Sequence, residues 1–154
     1  MYISLTVCGH YSSECDLTFL EQIPSLKRLS VDCLQTATGV EVVTKLSNLE
    51  MLGVEIFHLD NFEFLNKVTP HLKELLLHST KSKKPKIDII SRFKGLEYLS
   101  LEGQQKGIES ISSLKCLKQI VLRSITTSSL EVLSGKKIYG LLISNSEELR
   151  NLMP

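Results

Sequence analysis

One histidine in this sequence is placed where a proton could matter. His78 follows Glu55 by 23 residues and precedes Glu102 by 24, and a carboxylate on either side favours the charged imidazolium. That arrangement makes a pH-sensitive contact; catalysis also needs a nucleophile and a pocket that excludes water, and the sequence around His78 supplies neither. Other chemical motifs are missing. There is no HExxH, no GxSxG and no Gly-rich phosphate loop, because Gly103 and Gly107 lack the strand-to-helix spacing such a loop requires. Cys8, His10, Cys15 and Cys33 can be written as a zinc set, but their spacing matches none of the usual tetrahedral frameworks. The chain reads as non-enzymatic, without metal or cofactor.

Composition narrows the partners in the same direction. The 154 residues carry a net charge of +1, with 42% hydrophobic and 23% charged side chains, the profile of one ordinary globular domain. A near-neutral chain has no global field to hold nucleic acid or an anionic membrane, so such a contact would need a local patch. The candidate is Lys81, Lys83, Lys84 and Lys86, which no arginine or interleaved aromatic reinforces; a solvated loop is the plainer reading, and nucleic acid is not expected. No apolar run approaches the roughly 20 residues of a membrane span. The first cation is Lys27, so the start lacks the basic region of a secretory signal, and a cytoplasmic chain is expected. Cys8, Cys15, Cys33 and Cys116 are irregularly spaced and read as reduced thiols.

Whatever binds must be positioned by a repeat. The frame L-x-x-L-x-L falls on Leu26/Leu29/Val31, Leu49/Leu52/Val54, Leu72/Leu75/Leu77, Leu96/Leu99/Leu101 and Leu117/Ile120/Leu122, with weaker copies at Tyr2/Leu5/Val7 and Ile138/Leu141/Ile143. The frames begin at 2, 26, 49, 72, 96, 117 and 138. Between them, apolar residues recur every third position: Leu17/Leu20/Ile23, Val40/Val43/Leu46, Phe62/Leu65/Val68, Ile87/Ile90/Phe93 and Ile108/Ile111/Leu114. Spacing of three keeps one face inward on a short 3₁₀ or α segment. Most of the variation in repeat length falls in the loop after each strand, where insertions cost little. Pro24 and Pro70 fall two residues before Leu26 and Leu72, at a strand entrance where a missing N–H is tolerated.

A period of 20–29 residues with this strand consensus resembles the leucine-rich repeat family over nearly the whole chain. Leu96 to Leu117, LEYLSLEGQQKGIESISSLKCL, is most similar to the short-repeat class of bacterial internalins and phosphatase-regulating proteins. The resemblance implies an α/β solenoid of about seven repeats, a single array over residues 1–154, with a parallel sheet on the concave side and short 3₁₀ or α segments on the convex side. One departure stands out. The family usually places Asn or Cys three residues after the last strand leucine, and this chain has His10, Leu34, Phe57, Thr80, Gln104, Ile125 and Ser146 there. Without an asparagine ladder, irregular corners are expected.

In a strand the first, fourth and sixth frame positions point inward and the third, fifth and seventh outward. The outward set holds apolar Met51, Leu76, Tyr98, Val121 and Leu142 among Asp32, Glu55, Glu74, Glu102, Arg28 and Arg123, with His78 between strands. Apolar anchors within a charged rim are a common build for protein-binding patches. The predicted contact residues are Arg28, Met51, Glu55, Glu74, Leu76, His78, Tyr98, Glu102, Val121, Arg123 and Leu142. The second position alternates Lys27, Glu50, Lys73, Glu97, Lys118, a cross-strand ladder with a structural role. Six inter-strand steps of about 4.8 Å by roughly five residues give a face of about 500 Å². A standard interface buries about 800 Å² per partner, so a tight partner must also touch the corner loops or meet a longer array.

The expected function is recognition of another protein through the concave sheet and corner loops. A structural spacer within a larger protein is the second reading, and an antitoxin-like inhibitor that binds an enzyme is the third. Neither end carries a recognisable polar cap, which points to a fragment of a longer protein, a minimal array, or self-association through the ends.

Overall fold

The computed structural model describes residues 3–10, 12–78, 80–81, 85–103, 106–126 and 129–144. Strands β1 (Ser4–Cys8), β3 (Arg28–Leu34), β5 (Met51–Ile56), β6 (Glu74–Leu77), β7 (Tyr98–Glu102), β8 (Gln119–Arg123) and β9 (Gly140–Ser144) form one parallel sheet in that order. Each strand comes from one frame, and the register aligns the frames: Leu5, Leu29, Leu52, Leu75, Leu99, Ile120 and Leu141 are successive partners across the sheet. The five strong copies bury this row completely, whereas Leu5 is half-buried and Leu141 is 41% exposed. A parallel sheet forms because every strand leaves and returns through a crossover, here a 3₁₀ segment at Leu17–Gln22, Val40–Lys45, Glu63–Asn66, Asp88–Arg92, Ile108–Ser113 or Glu131–Leu133.

Those segments carry the apolar triplets, and their hydrogen bonds have the triplet's own spacing. The amides of Ile23, Leu46, Val68, Phe93 and Leu114 donate to the carbonyls of Leu20, Val43, Leu65, Ile90 and Ile111. A further i→i+3 turn then links Leu26 to Ile23, Leu49 to Leu46 and Leu96 to Phe93. Triplet and frame are thereby locked in phase, and both rows close on one continuous core running from Leu17 to Ile125. Phe62 and Phe93 are its largest members.

Neighbouring repeats are also joined by polar contacts. At each strand entrance the second-position carbonyl accepts two amides from the following repeat: Lys27 from Glu50 and Met51, Glu50 from Lys73 and Glu74, Lys73 from Glu97 and Tyr98, Glu97 from Lys118 and Gln119. On the opposite side of the core, Arg92 Nη1 donates to the carbonyls of Leu65 and Val68, and Lys136 Nζ to those of Ser112 and Leu114, each at 2.9 Å. Asn48 Nδ2 reaches the Pro24 carbonyl at 3.4 Å. These carbonyls lie in the last turn of a 3₁₀ segment or just past it, and that of Leu65 accepts the Val68 amide as well. Burial pulls the Lys136 ammonium below its ordinary pKa, with nearby Lys115 acting the same way.

The corners depart from the family pattern by substituting packing for hydrogen bonding. Leu34 and Ile125, which occupy the usual asparagine slot, are 1% exposed and belong to the core. Each follows a non-glycine residue with positive φ, Cys33 at 58° and Ser124 at 52°, and Gly103 takes the equivalent place at 79°. The register between β3 and β5 shifts there, between Val31 and Leu34. Of the other slot residues, Gln104 and Ser146 lie outside the described residues, as does Tyr2 of the first frame. A second, two-stranded parallel sheet, β2 (Glu14–Asp16) with β4 (Thr36–Thr38), follows the first two corners. The sequence pattern contained no sign of it. The sixth repeat, whose convex segment lacks the third apolar residue of the triplet, keeps a 3₁₀ turn at Glu131–Leu133 and then turns through Gly135 at positive φ.

Gly39 and Gly107 both open 3₁₀ segments in the left-handed region. At Gly107, φ is +85° and a Cβ would stand 2.7 Å from the Asp88 backbone nitrogen, so backbone strain and a backbone clash act together. Gly107→Ala is expected to cost about 1–3 kcal/mol in urea denaturation. Gly95→Ala, where a Cβ meets nothing within 4 Å, is expected to stay within about 0.5 kcal/mol of wild type.

Candidate protein-binding face

One side of the seven-stranded sheet packs on the core, and the other carries the third, fifth and seventh frame positions. The register sets them in three rows across the strands. The first row runs Arg28, Met51, Glu74, Tyr98, Gln119, Gly140; the second Ser30, Gly53, Leu76, Ser100, Val121, Leu142. Along the seventh position lie Cys8, Asp32, Glu55, His78, Glu102, Arg123 and Ser144, with a step in register beside Asp32. All eleven predicted contact residues therefore lie on this one face. Met51, Leu76, Tyr98 and Val121 are half-buried and Leu142 is half-exposed.

The charged residues are ordered by one another. Arg28 Nη1 and Nη2 donate to Glu74 Oε1 and Oε2 at 2.6 and 2.7 Å, a two-point pair spanning the intervening strand β5. Planar guanidinium and carboxylate fit best in this geometry. Arg123 Nη1 stands 3.9 Å from Glu102 Oε2, and Ser30 Oγ donates to Asp32 Oδ1 at 2.7 Å.

His78 differs in detail from the sequence expectation. Its Nδ1 is 3.5 Å from Glu55 Oε2, as anticipated, but its Nε2 is 3.2 Å from Ser100 Oγ. Ser100 was read as an outward position and is only 3% exposed. Gly53, in the same row, is buried too. Small residues at the fifth position sink below their taller neighbours, and a frame that records direction without size does not reveal this. The Ser30 hydroxyl covers Gly53: a Cβ there would stand only 2.8 Å from Ser30 Oγ. Among the described residues no three His, Cys, Asp or Glu side chains converge as a metal site, Cys8, His10, Cys15 and Cys33 included.

Beside the seventh-position row, the corner loops open a cleft of about 540 Å³ lined by Phe57, His58, Leu59, Asp60 and Lys81. The Phe57 and His58 rings lie 5.3 Å apart, and the loop is pinned by amide bonds from Phe57 to the Leu34 carbonyl and from Lys81 to that of Phe57. A second cleft of about 340 Å³, between Asp60–Glu63 and Pro85–Ile89, shares Asp60 with it. Lys81 and Lys86 line these clefts, and Lys83 and Lys84 lie outside the described residues.

No sequence-family model matches the chain, and no curated protein sequence does; solved structures match it by fold. Internalin C2 of Listeria monocytogenes aligns over 97% of this chain and 67% of its own, at 17% identity and a TM-score of 0.66. This is a leucine-rich-repeat solenoid. Internalin InlF of the same organism aligns over 86% of the solenoid and 45% of itself at 15% identity and a TM-score of 0.62. The plant peptide hormone receptor RGFR1, solved in complex with RGF2, aligns over 94% and 30% at 12% and 0.53. The chain thus spans two thirds of the first of these proteins and less than half of the other two. Among the described residues no helix is long and apolar enough to cross a membrane.

The second-position ladder borders this face at the strand entrances. Lys27 Nζ bonds Glu50 Oε1 at 2.9 Å and Lys118 Nζ bonds Glu97 Oε2 at 2.6 Å. The hydrogen bonds from Lys27 and Lys118 hold the Glu50 and Glu97 carboxyls below their ordinary value of 4.5, and Lys73 between them adds to the effect. The Glu97 bond likewise raises the Lys118 ammonium. A carboxylate whose folded pKa is lowered stabilises the fold above its unfolded value and ceases to do so as pH falls through the lowered one. Stability is therefore expected to drop below pH 4.5. Glu50→Gln/Glu97→Gln should show a smaller drop when denaturation midpoints are compared between neutral and acid buffer, and 1 M salt should narrow the difference between the two proteins.

Proposed function

We propose that the solenoid is a non-enzymatic recognition module that binds another protein through the open face of its sheet and the adjoining Phe57–Lys81 corner. The observation that carries this reading is the ordering of the face. Five apolar side chains stand in register on a solvent-facing parallel sheet, and the charges around them are held by a two-point Arg28–Glu74 pair and by the Glu55–His78–Ser100 contacts. A core built from leucines has no use for Met51, Leu76 and Tyr98 on its far side, whereas a partner does. Rigid strands hold these residues without further loss of conformational freedom on binding. The corner cleft adds the area that the sheet lacks for a standard interface. The peptide-bound receptor RGFR1, which has the same fold, supports this use of it.

The experiment compares wild-type protein with Leu76→Glu/Tyr98→Glu as affinity baits in extracts of the source cells, after circular dichroism has shown equal folding. A set of proteins retained by wild type and lost from the variant supports the proposal. Identical retained sets overturn it and leave the solenoid a spacer.

A further inference from the structure

We propose that copies of this solenoid stack head to tail, the outer edge of β9 in one copy pairing in parallel with the outer edge of β1 in the next, so that the sheet continues across the junction. The occupant of each open end is a second copy of the chain.

Register is the first argument. Among the described residues, β1 and β9 have a neighbouring strand on one side only. Within the array the second-position carbonyl accepts two amides from the following repeat, beginning with Ile3, which takes those of Lys27 and Arg28, and ending with Lys118, which takes those of Tyr139 and Gly140. The Tyr139 carbonyl is next in that series, and the Ile3 and Ser4 amides of a second copy are the donors that continue it. Leu141 then stands beside Leu5 and Ile143 beside Val7, as Leu5 stands beside Leu29 and Ile120 beside Leu141 within one copy.

Burial is the second. Among the described residues the exposed large hydrophobic side chains are Phe19, Tyr139, Leu141 and Leu142, one in the first repeat and three in the last. The row that is buried from Leu29 to Ile120 surfaces at both ends, at Leu5 and Leu141. A further layer covers these residues as each inner layer covers its neighbour.

Charge sets the direction. Residues 1–26 carry Glu14, Asp16 and Glu21 with no lysine or arginine, a net charge of −3, whereas residues 115–154 carry six lysines and arginines against three glutamates, a net charge of +3. Contact between two like ends brings like charges together, and only contact between unlike ends opposes them. Such a heterologous contact leaves one open end on every copy added, so association has no fixed stopping point. Two stacked copies also present a continuous sheet face of about 1,000 Å², more than the roughly 800 Å² that a standard partner covers.

The test is sedimentation velocity of the 154-residue chain from about 10 μM to about 1 mM, a range that brackets weak contacts. The weight-average mass should climb from 17.3 kDa past that of a dimer without a plateau, and about 0.5 M salt should lower it. Two variants, each checked for wild-type folding by circular dichroism, block one end apiece. The Gly9 amide turns inward to the Asp32 carbonyl, so the alternate amide of Thr6 faces the free edge, and Thr6→Pro removes it from an edge strand that tolerates proline. Leu141→Glu sets an anion on the opposite end. Each variant alone should stay a monomer, and an equimolar mixture should form a dimer and nothing larger, because one open end of each kind remains. A wild-type chain that is monomeric throughout overturns the inference, as does a dimer that only one of the two variants abolishes, or a series of oligomers that neither changes. If the full chain is monomeric and residues 1–144 associate, residues 145–154 occupy the β9 edge and the inference also falls. None of these outcomes bears on the recognition face, which Leu76→Glu/Tyr98→Glu tests separately.

Discussion

Burial in this molecule is collective. No repeat is large enough to enclose its own leucines, and each inner row is completed only by the rows beside it, so the alignment of Leu29, Leu52, Leu75, Leu99 and Ile120 is the constraint from which everything else follows. Stability is then largely a sum over neighbouring pairs. The gradient from full burial in the middle to 41% exposure at Leu141 is what such a sum produces at its boundary. A slip of one residue would send every leucine of a strand to the wrong face, which is why frame and triplet are tied by consecutive i→i+3 turns and not left to packing alone.

The fold was legible because its signal is periodic and long. Seven frames and five triplets each repeat a pattern that only stacked neighbours can satisfy, and all seven strands lie where the frames place them. What stayed hidden is local and aperiodic. Strands β2 and β4, Glu-Cys-Asp and Thr-Ala-Thr, are three residues long, and one small apolar residue between two polar ones is too short an alternation to mark a strand. The left-handed turns at Cys33 and Ser124 use residues that do not announce positive φ. Leucine and isoleucine in a slot usually held by asparagine read as a defect in the sequence; in the structure they extend the core by one layer at the corner.

The face was legible in outline and less so in relief. Direction follows from parity along a strand, so Met51, Leu76, Tyr98 and their charged neighbours could be placed on one surface. Height does not follow from parity. Ser100 disappears beneath its neighbours and becomes a partner for His78, and Gly53 is covered by the Ser30 hydroxyl, because both depend on the residues of the adjacent strands. The chemistry of this surface accordingly lies in contacts between repeats, of which the Arg28–Glu74 pair, reaching across two inter-strand steps, is the longest.

The capping of the 3₁₀ segments has a direction. Asn48 closes the carbonyl of Pro24, Arg92 those of Leu65 and Val68, and Lys136 those of Ser112 and Leu114; in every case the donor lies one repeat later in the chain. Each of these repeats therefore draws hydrogen-bond donors from its C-terminal neighbour as well as packing against it, so removing a repeat would leave carbonyls short of a donor on the one before it.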